Sequence, residues 1–255
     1  MSLNPRIASW TGQRVWIIGG STGIGRATAI LLRNAGAFVA VSARKADVLN
    51  ALATQHPGLL PLPLDLNDID AVARAQATLV EKWNGIDLIL CAAGAYTPTR
   101  AWELTPERVD EMMGVNLIST MKATALFIPL LLKQGSGTIA FISSVAGYRG
   151  LPKALVYGPS KAALTNFAET LYLDLHEKGI GVVVVSPGFV RTPLTAQNEF
   201  NMPALIEPEE AAEEIKAGLE AGTFEIHFPR RFTRVLKFLR WWPDALYFKF
   251  IKRVV

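Results

Sequence analysis

A tyrosine and a lysine stand four residues apart in Tyr157-Gly158-Pro159-Ser160-Lys161. On a helix, positions i and i+4 share a face, so both side chains can act on one substrate. Pro159 places the motif in a helix's first turns, where a missing N–H is tolerated. A free phenol titrates near ~10, and a neighbouring ammonium stabilises the phenolate and lowers that value. Such a tyrosine is a usable general acid toward a ketone and general base toward an alcohol. Taken alone, a Tyr/Lys pair at this spacing is common and usually structural. Two further residues give it context. Ser144 follows the apolar run Phe141-Ile142-Ser143, and Asn116 interrupts a long apolar helix. A buried amide must find partners, so Asn116 is either a satisfied core amide or part of a site.

A second constellation could hold a phosphorylated ligand. An apolar run ends in Gly19-Gly20-Ser21-Thr22-Gly23-Ile24-Gly25 and passes into a helical pattern. Glycines at such a turn let the backbone approach a pyrophosphate, and the helix N-terminus favours the anion. The alternative is a tight turn with no ligand. After the next strand, an acid would receive the ribose 2′-hydroxyl of NAD, whereas a basic group would receive the 2′-phosphate of NADP. Here Ser42-Ala43-Arg44-Lys45 follows, with no acid before Asp47. Arg44 offers a planar fork of donors, with Lys45 and Ser42 as helpers. NADP(H) is therefore expected over NAD(H), unless Arg44 is only a solvated loop residue.

These residues need elements to position them. Continuous apolar runs at residues 14–20, 38–42, 59–64, 87–92, 137–143 and 180–186 read as buried parallel strands. Helical patterns at 23–35, 46–55, 69–83, 106–133 and 157–178 alternate with them. The expectation is an α/β, doubly wound Rossmann domain with helices on both faces and ligands at the carboxyl ends of the strands. Its bounds are read as 1–229, followed by a tail at 230–255.

Length and composition agree. The chain has 255 residues, half of them hydrophobic and 19% charged, which suits one well-buried domain. Cys91 is the single cysteine, so no internal disulfide forms and a reducing, cytoplasmic setting is expected. No secretory peptide is expected in residues 1–10, and the apolar run at 123–132, broken by Pro129, is too short to span a bilayer. No metal site is expected. The net charge of +4 divides into +7 in the tail and −3 before it, so the body gives no support for nucleic-acid binding.

With these motifs in order, the chain resembles the short-chain dehydrogenase/reductase superfamily in its compact form. The resemblance rests on the glycine turn, Asp65-Leu66, Asn116, Ser144, Tyr157 with Lys161, and Pro187-Gly188-Phe189-Val190-Arg191-Thr192. It implies a seven-stranded parallel sheet in the order 3-2-1-4-5-6-7. It implies that Tyr157 exchanges the proton while Lys161 tunes it and holds the nicotinamide ribose. Ser144 would bind the carbonyl oxygen, and Asn116 would position a water in a proton relay. For the cofactor it implies Gly19, Ser21, Thr22, Gly23, Ile24 and Gly25 at the pyrophosphate, Asp65 and Leu66 near the adenine, Gly94 through its backbone, and Pro187, Gly188, Val190 and Thr192 near the nicotinamide. Two positions depart from the family pattern: Ile18 replaces a frequent threonine, and Cys91-Ala92-Ala93-Gly94 replaces Asn-Asn-Ala-Gly.

An apolar or lipid-like substrate is expected from Leu194, Phe200, Met202, Leu205 and Ile206, with Tyr148, Leu151 and residues 96–102 as other walls. A non-catalytic NADP-binding sensor or scaffold, or an epimerase or dehydratase on the same fold, are the competing readings. Apolar surplus on the helices at 116–132 and 164–175 implies a homodimer or homotetramer. In the tail, Phe232, Val235, Leu236, Leu239 and Trp242 form a stripe among basic residues, and seven of the chain's 23 aromatic residues fall after position 229. The tail is thus expected to lie on a membrane surface as a peripheral contact or to pack on its own domain or a partner subunit as a roof over the substrate pocket, and the two are compatible for a lipid substrate entering from the bilayer.

Overall fold

A computed structural model describes residues 2–254, with side chains through Lys252. Met1 and, from the tail, Arg253 and Val255 lie outside the described residues or side chains. Seven parallel strands form one sheet: β1 (Arg14–Ile18), β2 (Phe38–Ser42), β3 (Leu59–Pro61), β4 (Leu88–Cys91), β5 (Gly137–Ile142), β6 (Ile180–Pro187) and β7 (Glu225–Phe228). Their order is β3-β2-β1-β4-β5-β6-β7, as the resemblance implied.

Alternation along β1 divides the core. Trp16 and Ile18 join one cluster with Val72, Leu79, Phe127 and Leu164. These come from α3 (Ile69–Trp83), α5 (Ser119–Gln134) and α6 (Tyr157–Leu175). Val15 and Ile17 face the other way and pack with Ala29, Leu49 and Ile215, from α1 (Gly23–Asn34), α2 (Ala46–Gln55) and α7 (Pro208–Ala221). A two-sided core explains why the strands read as unbroken apolar runs. Arg14 and Asp87 lock the entry to β1 and β4, with Arg14 Nε donating to Asp87 at 2.8 Å.

Several bounds differ from the sequence expectation. The strand expected at 59–64 ends at Pro61 because Pro61 and Pro63 have no N–H to donate. Leu62 and Leu64 still donate to Val41 and Ala43 at 2.9 and 3.1 Å, so the ladder runs on between the prolines. The single helix expected at 106–133 is α4 (Pro106–Met113), a π-helical turn (Gly114–Ile118) and then α5. Pro106–Gln134 as a whole is long and apolar enough to cross a membrane by length and composition, but so is a buried core helix. Its inner side, including Ala123, Phe127 and Leu131, is buried in the sheet's core.

The tail forms α8 (Arg230–Leu239) and α9 (Asp244–Val254). Its expected stripe faces the domain. Leu239 is buried, Phe232, Leu236 and Trp242 are half-buried, and Val235 alone is exposed. Leu239, Tyr247 and Ile251 form a small core with Leu151. The stripe that suggested a membrane contact is therefore spent on packing.

Candidate active site

The carboxyl ends of β1, β2, β4, β5 and β6 open into a cleft of about 720 Å³. β1 turns sharply at Gly19, whose N–H donates to Ser42 O at 2.7 Å. Gly19 has φ +93°, and a Cβ there would stand 2.4 Å from Ala93 N. No other residue type satisfies both demands. The same crowding accounts for small residues after β4: a Cβ on Gly25 would lie 3.3 Å from that of Ala92. Cys91 is buried and its thiol is pushed up to about 12 by burial, which makes it a core residue and not a nucleophile.

Helix α1 begins without a side-chain cap. Thr22 occupies the cap position but accepts no hydrogen bond there, and no acid lies in the first turn. The uncapped N–H groups thus face the cleft ready for an anion. Arg44 is exposed on the cleft wall and forms no ion pair among the described residues. Ser42, also on the cleft wall, has a buried hydroxyl that accepts from Trp16 Nε1 at 2.9 Å. Asp65 also lines the cleft, with one carboxylate oxygen accepting from Asn67 N at 2.9 Å. An uncapped helix start, a glycine cradle and an unpaired guanidinium are the donor set that a phosphorylated dinucleotide needs.

The proton-transfer residues meet at the far end. Ser144 caps the short 3₁₀ turn Val145–Gly147, its Oγ accepting from Ala146 N at 3.1 Å. Tyr157 opens α6 as Pro159 implied. Lys161 is 3% exposed, and its Nζ donates to Ile142 O at 2.8 Å. That ammonium lies 5.6 Å from the centre of the Tyr157 ring. Burial lowers Lys161 to about 8. Burial also pushes Tyr157 up to about 12, against the downward pull of the Ser144 hydroxyl. Burial thus sets the direction at Tyr157, while the Lys161 ammonium directs its hydrogen bond to β5.

All the residues expected to hold the cofactor line this one cleft, together with Ser144, Tyr157 and Lys161. Asn116 does not line it. Its fully buried amide sits in the π turn, accepts from Ala95 N at 2.7 Å, and donates to Ala95 O at 2.9 Å and Ser160 Oγ at 3.1 Å. It thereby fixes the loop after β4 to the start of α6. Of the expected lid, Leu194 lines the cleft, while Ile206 is tied to Val190 by a backbone bridge. Trp102 is 81% exposed and not a wall.

Three residues escaped the sequence reading in these roles. Tyr96 packs edge-on against Tyr157 with ring centres 4.9 Å apart, and its hydroxyl donates to Asn198 at 3.1 Å. Ser160 links Asn116 to Tyr157 O, to which it donates at 2.7 Å. Ser143 donates to Lys161 O at 2.9 Å. Ser160 and Ser143 adjoin quoted motifs, but only the fold shows what they touch.

Comparison with known proteins agrees with this geometry. The model of the short chain dehydrogenase family matches residues 13–202. An uncharacterised oxidoreductase of Myxococcus xanthus is 33% identical over 248 residues, covering 94% of this chain and 97% of its own. The 3-oxoacyl-[acyl-carrier-protein] reductase FabG of Thermotoga maritima is 29% identical, covering 89% and 90%. A short chain dehydrogenase from Burkholderia cenocepacia, solved in complex with NADP, superposes with a TM-score of 0.83 at 25% identity, covering 94% of this chain and 98% of that one.

Proposed function

The chain belongs to the short-chain dehydrogenase family and is an oxidoreductase of that family, and on that premise we propose that it interconverts a ketone and a secondary alcohol with NADP(H), with Tyr157 as the proton donor and acceptor. The observation that carries this reading is the convergence of Ser144, Tyr157 and Lys161 on the same cleft as the glycine turn and Arg44. A sensor or scaffold would have no use for that convergence.

A bound nicotinamide supplies the hydride in reduction and accepts it in oxidation. The chain's own residues manage binding and the proton. The α1 N-terminus and the glycine turn receive the pyrophosphate, and Arg44 receives the 2′-phosphate. Ser144 Oγ accepts from Ala146 N–H, and its own hydrogen, which supports the Tyr157 hydroxyl, can turn to a substrate oxygen. Tyr157 delivers its proton to that same oxygen in reduction and recovers it in oxidation. Lys161 spends one donor on Ile142 O and keeps two for the ribose and the phenol oxygen. Its charge opposes the burial that raises Tyr157 once it faces a developing phenolate. Asn116 is a positioning residue that holds residue 95 and α6 in register.

The substrate is read as apolar. Val190 and Leu194 line the cleft, and Phe189, next to Val190 in the chain, packs on Phe200 with ring centres 5.6 Å apart. The Thermotoga relative's name specifies a 3-oxoacyl substrate, and a ketone on an acyl chain suits such walls. The test is NADPH oxidation with 2-alkanones and 3-oxoacyl thioesters of increasing chain length. Catalytic efficiency should rise about 3-fold or more per added methylene until the pocket is filled. Oxidation of NADPH by none of these ketones would defeat the reading.

A further inference from the structure

Docking of α8 and α9 on the domain leaves a second apolar surface facing outward. Arg149 holds the tail in place. Its guanidinium donates to Leu239 O at 3.1 Å and Trp242 O at 2.7 Å, pairs with Asp244, and stacks 3.9 Å over the Tyr247 ring. Tyr247 in turn donates to Gly150 O at 2.8 Å. With its inner face used in this way, the tail cannot turn its outer face inward. That outer face presents Trp241 at 83% exposure, Phe238 at 64% and Leu246 at 55%. Trp242 joins Phe238 to Phe250, with ring centres 6.1 and 5.7 Å apart, so the apolar groups form one band. Exposed Arg231, Arg234, Arg240, Lys249 and Lys252 surround it. The tail's acid, Asp244, is already paired with Arg149.

Charge decides the occupant. The tail carries +7 and the rest of the chain −3, so two tails facing each other repel, and a symmetric pairing through this face is disfavoured. Bulky aromatics amid long cationic side chains suit a layer that is negative at its surface and apolar beneath it. We propose that the outer face of α8 and α9 docks on an anionic phospholipid bilayer, with Phe238, Trp241 and Leu246 entering the interface and the five cations on the headgroups. On the opposite, docked face, Phe232 packs on Phe189 with ring centres 5.7 Å apart, next in the chain to the cleft-lining Gly188, so the tail sits near the catalytic cleft. The inference stands on the tail alone and does not depend on the substrate assigned above.

The test is flotation of the full chain with phosphatidylglycerol/phosphatidylcholine vesicles and with pure phosphatidylcholine vesicles. Binding to the anionic vesicles that falls steeply with salt is expected. Phe238→Ser with Trp241→Ser should weaken it at least 10-fold, and Arg231→Gln with Arg234→Gln should weaken it about 30-fold. Circular dichroism and soluble-ketone turnover serve as controls for folding. Failure of the full chain to float overturns the proposal. So does flotation that the serine variant leaves intact, a dimer that dissociates on Trp241→Ser, or tighter binding to a DNA duplex than to the vesicles.

Discussion

Lys161 keeps an ammonium at 3% exposure with one backbone carbonyl as its hydrogen-bond partner. Burial lowers it to about 8, against about 10.4 for the unfolded chain. Between those values the folded form binds fewer protons, so stability rises with pH across that window, and below about 8 the full cost is present. Lys161→Met should therefore stabilise the protein at pH 7 by ~1–3 kcal/mol, the gain shrinking toward pH 10. Thermal melts at the two pH values measure this. In the unmodified protein, kcat/KM for ketone reduction should fall as pH rises through about 8, when the ammonium supporting Tyr157 is lost. Arg44 gives a separate prediction. NADPH should bind more tightly than NADH by about 1.5–3 kcal/mol, as one charge-assisted phosphate contact provides. Arg44→Asp should erase or reverse that margin in fluorescence titrations. Both residues stood out in the sequence because their chemistry depends on type and local spacing. What did not show was that desolvation would dominate at Tyr157, because burial is a property of the fold.

At the scale of elements, the π turn at Gly114–Ile118 is the device that seats Asn116. An extra residue in a helical turn redirects the side chains that follow it, and such turns gather at functional sites. Here it aims the amide at the backbone of residue 95, satisfying both its N–H and C=O. Asn116→Leu would orphan those groups and Ser160's partner. It should cost ~2–4 kcal/mol in denaturant unfolding and lower turnover more than NADPH affinity. The apolar periodicity of residues 106–134 passes through the turn without a break, which is why the sequence read as one helix. Other misses had readable signals. α7 starts with Pro208 at its first turn and a Glu207/Glu210 capping box, and ends at Gly222 with φ +66°. β7 alternates buried Ile226 and Phe228 with half-exposed Glu225 and His227. Four residues are too few to establish an alternation without a neighbouring strand.

For the whole molecule, the order of the sheet sends five strand ends to one cleft, and the tail is fastened on the side where β7 ends. Lys237 donates to Glu225 at 2.5 Å, and Tyr148 bonds the same carboxylate at 2.5 Å. Burial works against the charge of Glu225, but these two partners hold its pKa below the ordinary value. The sequence left packing of the tail as one of two expectations, because a stripe at helical spacing shows a face and not what covers it. A face left open elsewhere predicts assembly. Ile118, Met121 and Leu132 on the π turn and α5, and Leu173 on α6, are exposed, Leu173 at 69%. Two copies should pair through these helices, and light scattering at micromolar concentration should give a dimer or tetramer. Leu173→Glu with Met121→Glu should shift it to the monomer.

The claim on which the account depends is that Tyr157 supplies the proton while the rest of the cleft binds the cofactor. Tyr157→Phe removes one hydroxyl and keeps the ring that packs on Tyr96. Turnover of a reactive ketone and NADPH affinity should be measured on this variant in the same buffer. A loss of at least about 10²-fold in kcat is expected, with NADPH affinity changed by less than about 3-fold. Retention of full ketone reduction by Tyr157→Phe would contradict the claim.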